Sequence, residues 1–161
     1  MKSLSTLHWL FITAVVFLFS VPAFAALGDN AASVLDDQAR MKGTLRSVDR
    51  HAYVMHEITT STGARVREFV SPAGAVFAVA WEGQFPPNFR QLLGPYYQQA
   101  QQAAAQQKAE ADAQQVRIRR GPVVIQSPGI VFVQSGHTRS FHGQAYIPQL
   151  IPQGVQPGDI R

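Results

Sequence analysis

The chain has no cysteine. Disulfides, thiolate metal sites, thiol redox chemistry and a cysteine nucleophile are therefore excluded. A small domain without disulfides must draw its stability from core packing, a partner or an assembly. Charge is sparse as well, with 14 Lys and Arg against 10 Asp and Glu in 161 residues. The basic residues are scattered, apart from a cluster at 117–120. Nucleic-acid binding takes a dense basic stripe with interleaved aromatics, so no nucleic-acid partner is expected. Mild attraction to anionic lipid or polysaccharide stays open. There is no Walker loop, no Gly-x-Gly-x-x-Gly, no His-Glu-x-x-His and no Gly-x-Ser-x-Gly elbow. No run after residue 25 reaches the roughly 20 apolar residues of a membrane span.

What is present begins at the N-terminus. Met1 and Lys2 give a short basic start, and an uncharged apolar body runs from Leu7 to Val21. Ala23 and Ala25 are the small residues a signal peptidase needs at positions −3 and −1. Residues 1–25 read as a signal peptide cut between Ala25 and Ala26, which sends the protein to the periplasm or beyond. The rival is an uncleaved anchor, against which stand the short run and Pro22 beside the cleavage site. Without residues 1–25 the chain keeps 136 residues, and loss of Lys2 lowers the net charge from +4 to +3. That length fits one domain with a modest core.

The expected organisation is a single α+β domain over 26–148, followed by an extended Pro- and Gly-rich tail over 149–161. Residues 26–43 open with a short helix, with Asp29 or Asn30 as its cap and Gly43 as its left-handed end. Residues 52–81 read as a three-stranded meander with strands 52–59, 64–71 and 75–81. Gly63 and Gly74 are each third in a three-residue loop, the place where a type I turn needs a left-handed residue. The loops fix a register. Ile58 faces Val66, His56 faces Glu68 and Val54 faces Val70. In the second hairpin Phe69 faces Phe77, Arg65 faces Trp81 and Glu68 faces Ala78.

Phe89, Leu92 and Leu93 form the i, i+3, i+4 face of a short helix that Gly94 and Pro95 end. Of the 18 residues in 98–115, 15 are Gln or Ala. These are good helix formers, but an Ala face buries little, so the segment reads as a helical insert that projects, docks loosely or stays partly disordered. Strands follow at 123–126, 130–134 and 139–147. In the last, Phe141, Ala145 and Ile147 point one way, and Ser140, His142, Gln144 and Tyr146 the other. The sum is an antiparallel sheet of five or six strands with the helical region 87–115 packed on one face through Phe89, Leu92 and Leu93.

Two constellations carry chemistry. His56 and Glu68 are an acid–base candidate, or else a structural cross-strand ion pair. His137, Arg139 and His142, with Gln144 and Tyr146, suit an anionic or sugar ligand. Two histidines five apart are a weak metal signal, since a site needs three or four convergent ligands. No catalytic residue, metal or cofactor is assigned.

The run 66–81 (VREFVSPAGAVFAVAW) resembles an exported bacterial family known as domain of unknown function 2844. Leu92, Leu93 and Gly94 share the likeness, as do the stretches 136–143 and 145–148. The resemblance covers nearly all of the mature chain and treats the Gln/Ala segment as a variable insert. It implies an exported single-domain protein and carries no activity, cofactor or catalytic residue. The leading functional expectation is a non-catalytic binding or envelope-assembly factor that meets an envelope protein or a glycan. One alternative is a small exported hydrolase or metal-dependent enzyme using His56 with Glu68, or His137 with His142. The other is a structural module assembling through the Gln/Ala helix. Sequence leaves the oligomeric state open.

Overall fold

The computed structural model describes residues 27–115 and 121–161. The signal peptide expected at 1–25 and the basic cluster at 117–120 lie outside the described residues. Helix α1 (Ser33–Met41) leads into β1 (Thr44–Asp49), β2 (Val54–Thr59), β3 (Arg65–Val70) and β4 (Val76–Gly83). Helices α2 (Phe89–Leu93) and α3 (Tyr96–Ala113) come next, then β5 (Val123–Ser127), β6 (Ile130–His137) and β7 (Ser140–Tyr146). All seven strands form one antiparallel sheet, in the order β1-β2-β3-β4-β7-β6-β5. The two meanders meet where β4 pairs β7.

Seven strands replace the expected five or six. The added strand is β1, where Leu45 and Val48 point to opposite faces and the other positions are polar. With one apolar residue per face it shows no alternation, yet a polar, charged strand is what an unprotected sheet edge calls for. The turn into β1 also differs from expectation. Lys42, not Gly43, takes the left-handed position that ends α1 (φ 49°). Gly43 is needed for closeness instead, because a Cβ there would lie 2.6 Å from Ile58 Cγ2 and 2.9 Å from Thr59 O.

The register of β2 on β3 is the one the first loop dictates, with His56 opposite Glu68. The second hairpin starts as its loop dictates, with Ser71 N–H donating to Ala75 O. A bulge at Phe69/Val70 then shifts the pairing by one residue. Phe69 faces Ala78, Glu68 faces Val79 and Arg65 faces Glu82, so the expected Phe69–Phe77 and Arg65–Trp81 pairs do not form. The physical reason lies in the side chains of β4. A bulge puts two successive residues on one side of the strand. Phe77 and Ala78 both join Phe69 in one core cluster, while Val76, Val79 and Trp81 fall in the other.

Each cluster is centred on three mutually packed aromatic rings. Trp81, Phe89 and Phe132 pack with centroids 5.2–5.4 Å apart, together with Val34 of α1, Leu92 and Leu93 of α2 and Ala100 of α3. Tyr53, Phe69 and Phe77 pack at 5.6–6.2 Å on the opposite face. Gly143 of β7 lies against the first cluster with no room to spare, since a Cβ there would meet the Trp81 ring at 2.5 Å.

The second face is covered by the chain's last residues. The segment 148–161 contains only two one-turn 3-10 helices, yet Val155 and Ile160 are buried against Phe69, Phe77, Ala78 and Ala80. Gln144 Nε2 donates to Pro157 O, and Gln156 with Asp159 forms a reciprocal cap that sets the final turn. Ile160 is 0 % exposed. Ile160→Ala should therefore cost about 2–5 kcal/mol, read as a lower denaturation midpoint with an unchanged slope.

Candidate functional site

Glu68 stands on the apolar stripe of β3, between Val66 and Val70. Asp37 stands on the inner stripe of α1, between Val34 and Met41 at helical spacing. Packing α1 on the sheet brings the two carboxyl groups together, with Asp37 0 % and Glu68 2 % exposed. The two groups are near enough to share a hydrogen bond once one of them holds a proton. Asp37 Oδ2 and Glu68 Oε2 are sealed from water and meet no other donor among the described residues. Two ionised carboxylates could not share such a site, so a proton must sit between them. Burial, and then the hydrogen bond and charge of Asp37, push the Glu68 carboxyl up to about 9. Burial raises Asp37 too, against the pull of its hydrogen bonds to Glu68 and Gln91 and of Arg40. Gln91 Nε2 of α2 donates to Asp37 Oδ1 at 2.5 Å. A protonated Glu68 donating to Asp37 is thus clamped by α1, β3 and α2 together.

His56 and Glu68 are register partners, but their polar atoms have other company. His56 Nδ1 lies 2.7 Å from Ser47 Oγ on β1, and burial lowers the imidazole pKa. A general acid must reach its substrate. At 2 % exposure Glu68 is a brace between layers.

At one end of the sheet Glu82 of β4 is the centre of an ion-pair cluster. Arg65 pairs with its Oε1, and Arg67 Nη2 lies 3.6 Å from its Oε2. Arg67 Nε also bonds Glu57 Oε2 at 2.7 Å. His142 of β7 faces Glu82 across the β4–β7 pair. Two shallow depressions adjoin there. One, of about 470 Å³, is lined by Arg139, His142, Glu82 and Gln84, and the other, of about 350 Å³, by Arg67, His142, Gln144 and Arg161. Of the five binding candidates, Arg139, His142 and Gln144 therefore line this region. Tyr146 packs on the tail-covered cluster, and His137 Nδ1 contacts Thr138 O within its own turn. Among the described residues no three His, Asp or Glu side chains converge as metal ligands.

On the helix side of the same end lies a cleft of about 250 Å³. Met41, Val66 and Trp81 give it apolar walls, Gln91 lines it, and Phe85, 70 % exposed, stands at its rim.

A family model described as "Protein of unknown function (DUF2844)" matches residues 23–160. The chain belongs to the DUF2844 family. No curated protein and no solved structure matches it.

Sequence reasoning missed the partner of Glu68 in this DUF2844 chain. The signal was there: Asp37 is three residues after Val34 and four before Met41, an acid on the apolar stripe of a helix. An acid on an apolar helix stripe and another on an apolar strand stripe ask for each other. The Gln91 contact had no such signal, because it depends on how α2 folds back across α1.

The shared proton makes stability depend on pH. The folded state keeps a proton on Glu68 up to about 9, whereas an unfolded glutamate releases it near 4.5. Between those values the folded state binds more protons, so stability falls as pH rises, by up to about 1.4 kcal/mol per pH unit. Glu68→Gln keeps a donor for Asp37 and cannot ionise. Denaturation midpoints from pH 7 to 9, above the range in which His56 titrates, should fall for the parent protein and stay nearly flat for Glu68→Gln. Parallel curves would sink this account of the pair.

Proposed function

We propose that this DUF2844 protein is an exported, non-catalytic binding protein of the bacterial envelope. Its ligand is an acidic glycan held around Glu82. Export rests on the signal features of residues 1–25. The observation that carries the ligand is charge: Arg67, Arg139 and Arg161, joined by His142, line two adjoining depressions in which Glu82 is the one acidic side chain. The surplus is positive and the depressions are shallow, which suits a polyanionic chain lying across the surface better than a small molecule enclosed in a pocket. Residues 26–161 should bind polygalacturonate in calorimetry at low salt and ignore dextran, with affinity that falls as salt screens the charges. The double substitution Arg139→Ala, His142→Ala should weaken binding at least tenfold. Equal affinity for dextran, or no effect of the double variant, overturns the reading.

A second reading, assembly through the Gln/Ala region, is favoured by one edge of the sheet. Strand β5 exposes Val123 by 54 % and Val124 by 38 %, and α3 beside it buries only Ala100. An uncharged, apolar edge strand is a template for pairing with another strand. Light scattering should then show a self-associated species that Val124→Lys converts to monomer. A parent protein that is monomeric at high concentration rules this out.

A further inference from the structure

The cleft beside Phe85 is chemically unlike the arginine surface next to it. Arg65 and Glu82 line it as a mutually neutralised pair, so it presents no net charge. Besides Thr60 and Thr62, two of its polar side chains, Gln91 and Asn88, are amides whose orientation is set by what they already bond. Gln91 spends its Nε2 on Asp37, which leaves the carbonyl Oε1 as the acceptor it can offer. Asp37, paired in turn with Glu68, holds that orientation from the protein interior. Asn88 spends its Oδ1 on the Gln91 backbone N–H at 3.3 Å, which leaves Nδ2 as a donor. An acceptor and a donor three residues apart, both lining one small cleft, match the N–H and the C=O of a single secondary amide. The apolar walls from Met41 and Val66 match a methyl group beyond it. The cleft is smaller than the roughly 300–1,000 Å³ of a pocket for a drug-sized ligand, so it takes a substituent rather than a whole ligand. The exposed Phe85 ring at the rim is a flat apolar platform with a negative face, suited to the C–H face of a pyranose.

We propose that the cleft formed by Gln91, Asn88, Met41 and Val66 receives the acetamido group of an N-acetylated sugar residue, whose ring stacks on Phe85. This rests on the glycan-binding reading above and deepens it. One surface holds the acid groups of the chain, and the neighbouring cleft reads its N-acetyl groups.

The test titrates residues 26–161 with N,N′-diacetylchitobiose and with cellobiose, which has the same linkage without the acetamido groups. Polygalacturonate is titrated against the same preparation. Chitobiose should bind at least tenfold more tightly than cellobiose. Phe85→Ala should weaken chitobiose binding about tenfold with no change in melting temperature, since the ring is exposed. Asn88→Asp keeps the Oδ1 that caps α2 but removes the Nδ2 donor, and should cost a similar factor. Equal binding of the two disaccharides overturns the proposal, as does chitobiose binding indifferent to both variants. Polygalacturonate bound with chitobiose ignored overturns this inference alone and leaves the arginine-surface reading standing. Neither bound overturns both.

Discussion

Strand β4 is apolar on both of its faces, and that constraint organises the molecule. Six consecutive residues, Val76 to Trp81, are buried. A strand of this kind is stable only in the middle of a sheet covered on both sides. Position follows from this, because β4 lies fourth of seven, with β3 on one side and β7 on the other. Coverage follows too. The face with Val79 and Trp81 shares a core with α1, α2 and α3, and the face with Phe77, Ala78 and Ala80 is closed by Val155 and Ile160 of the tail. The bulge at Phe69/Val70 makes the two needs compatible. It gives Phe77 to one side and Trp81 to the other, so that each face has its own trio of rings.

The buried carboxyl pair follows from the same layering. Helix α1 packs over β2 and β3 through a narrow apolar stripe, chiefly Val34 and Met41. A shared proton between Asp37 and Glu68, anchored to α2 by Gln91, joins three elements that hydrophobic contact alone joins weakly. Its cost is desolvation of two acids, offset by hydrogen bonds that exist only in the packed state. It also stiffens the wall of the cleft, so that the structural brace and the candidate binding site share Gln91.

The turns were legible because their chemistry is local. Gly63 and Gly74 take positive φ where a three-residue loop requires it, and the β2–β3 register follows from the first loop. Helix α3 was legible from Ala and Gln alone, although only Ala100 of it is buried. The bulge was not legible, because Phe69 against Phe77 is as good a local pair as Phe69 against Ala78. What selects between them is where Trp81 must end up, which is settled by Phe89 and Phe132 far along the chain. In the candidate site, the polar face of β7 could be read from alternation. That the tail would draw in Gln144 and Tyr146, and leave Arg139 and His142 beside Glu82, could not.

By itself, the sequence determined the family, the exclusion of thiol chemistry, the kinds of element and the turns that join them. Each of these depends on residue identity or on neighbours within a few positions. Only the tertiary structure decided the β4–β7 junction, the docking of the last residues onto the open face, the pairing of Asp37 with Glu68 and the fixed orientation of the Gln91 amide. These depend on side chains distant in sequence sharing one small volume, where burial sets the proton and the hydrogen bond that no local pattern encodes.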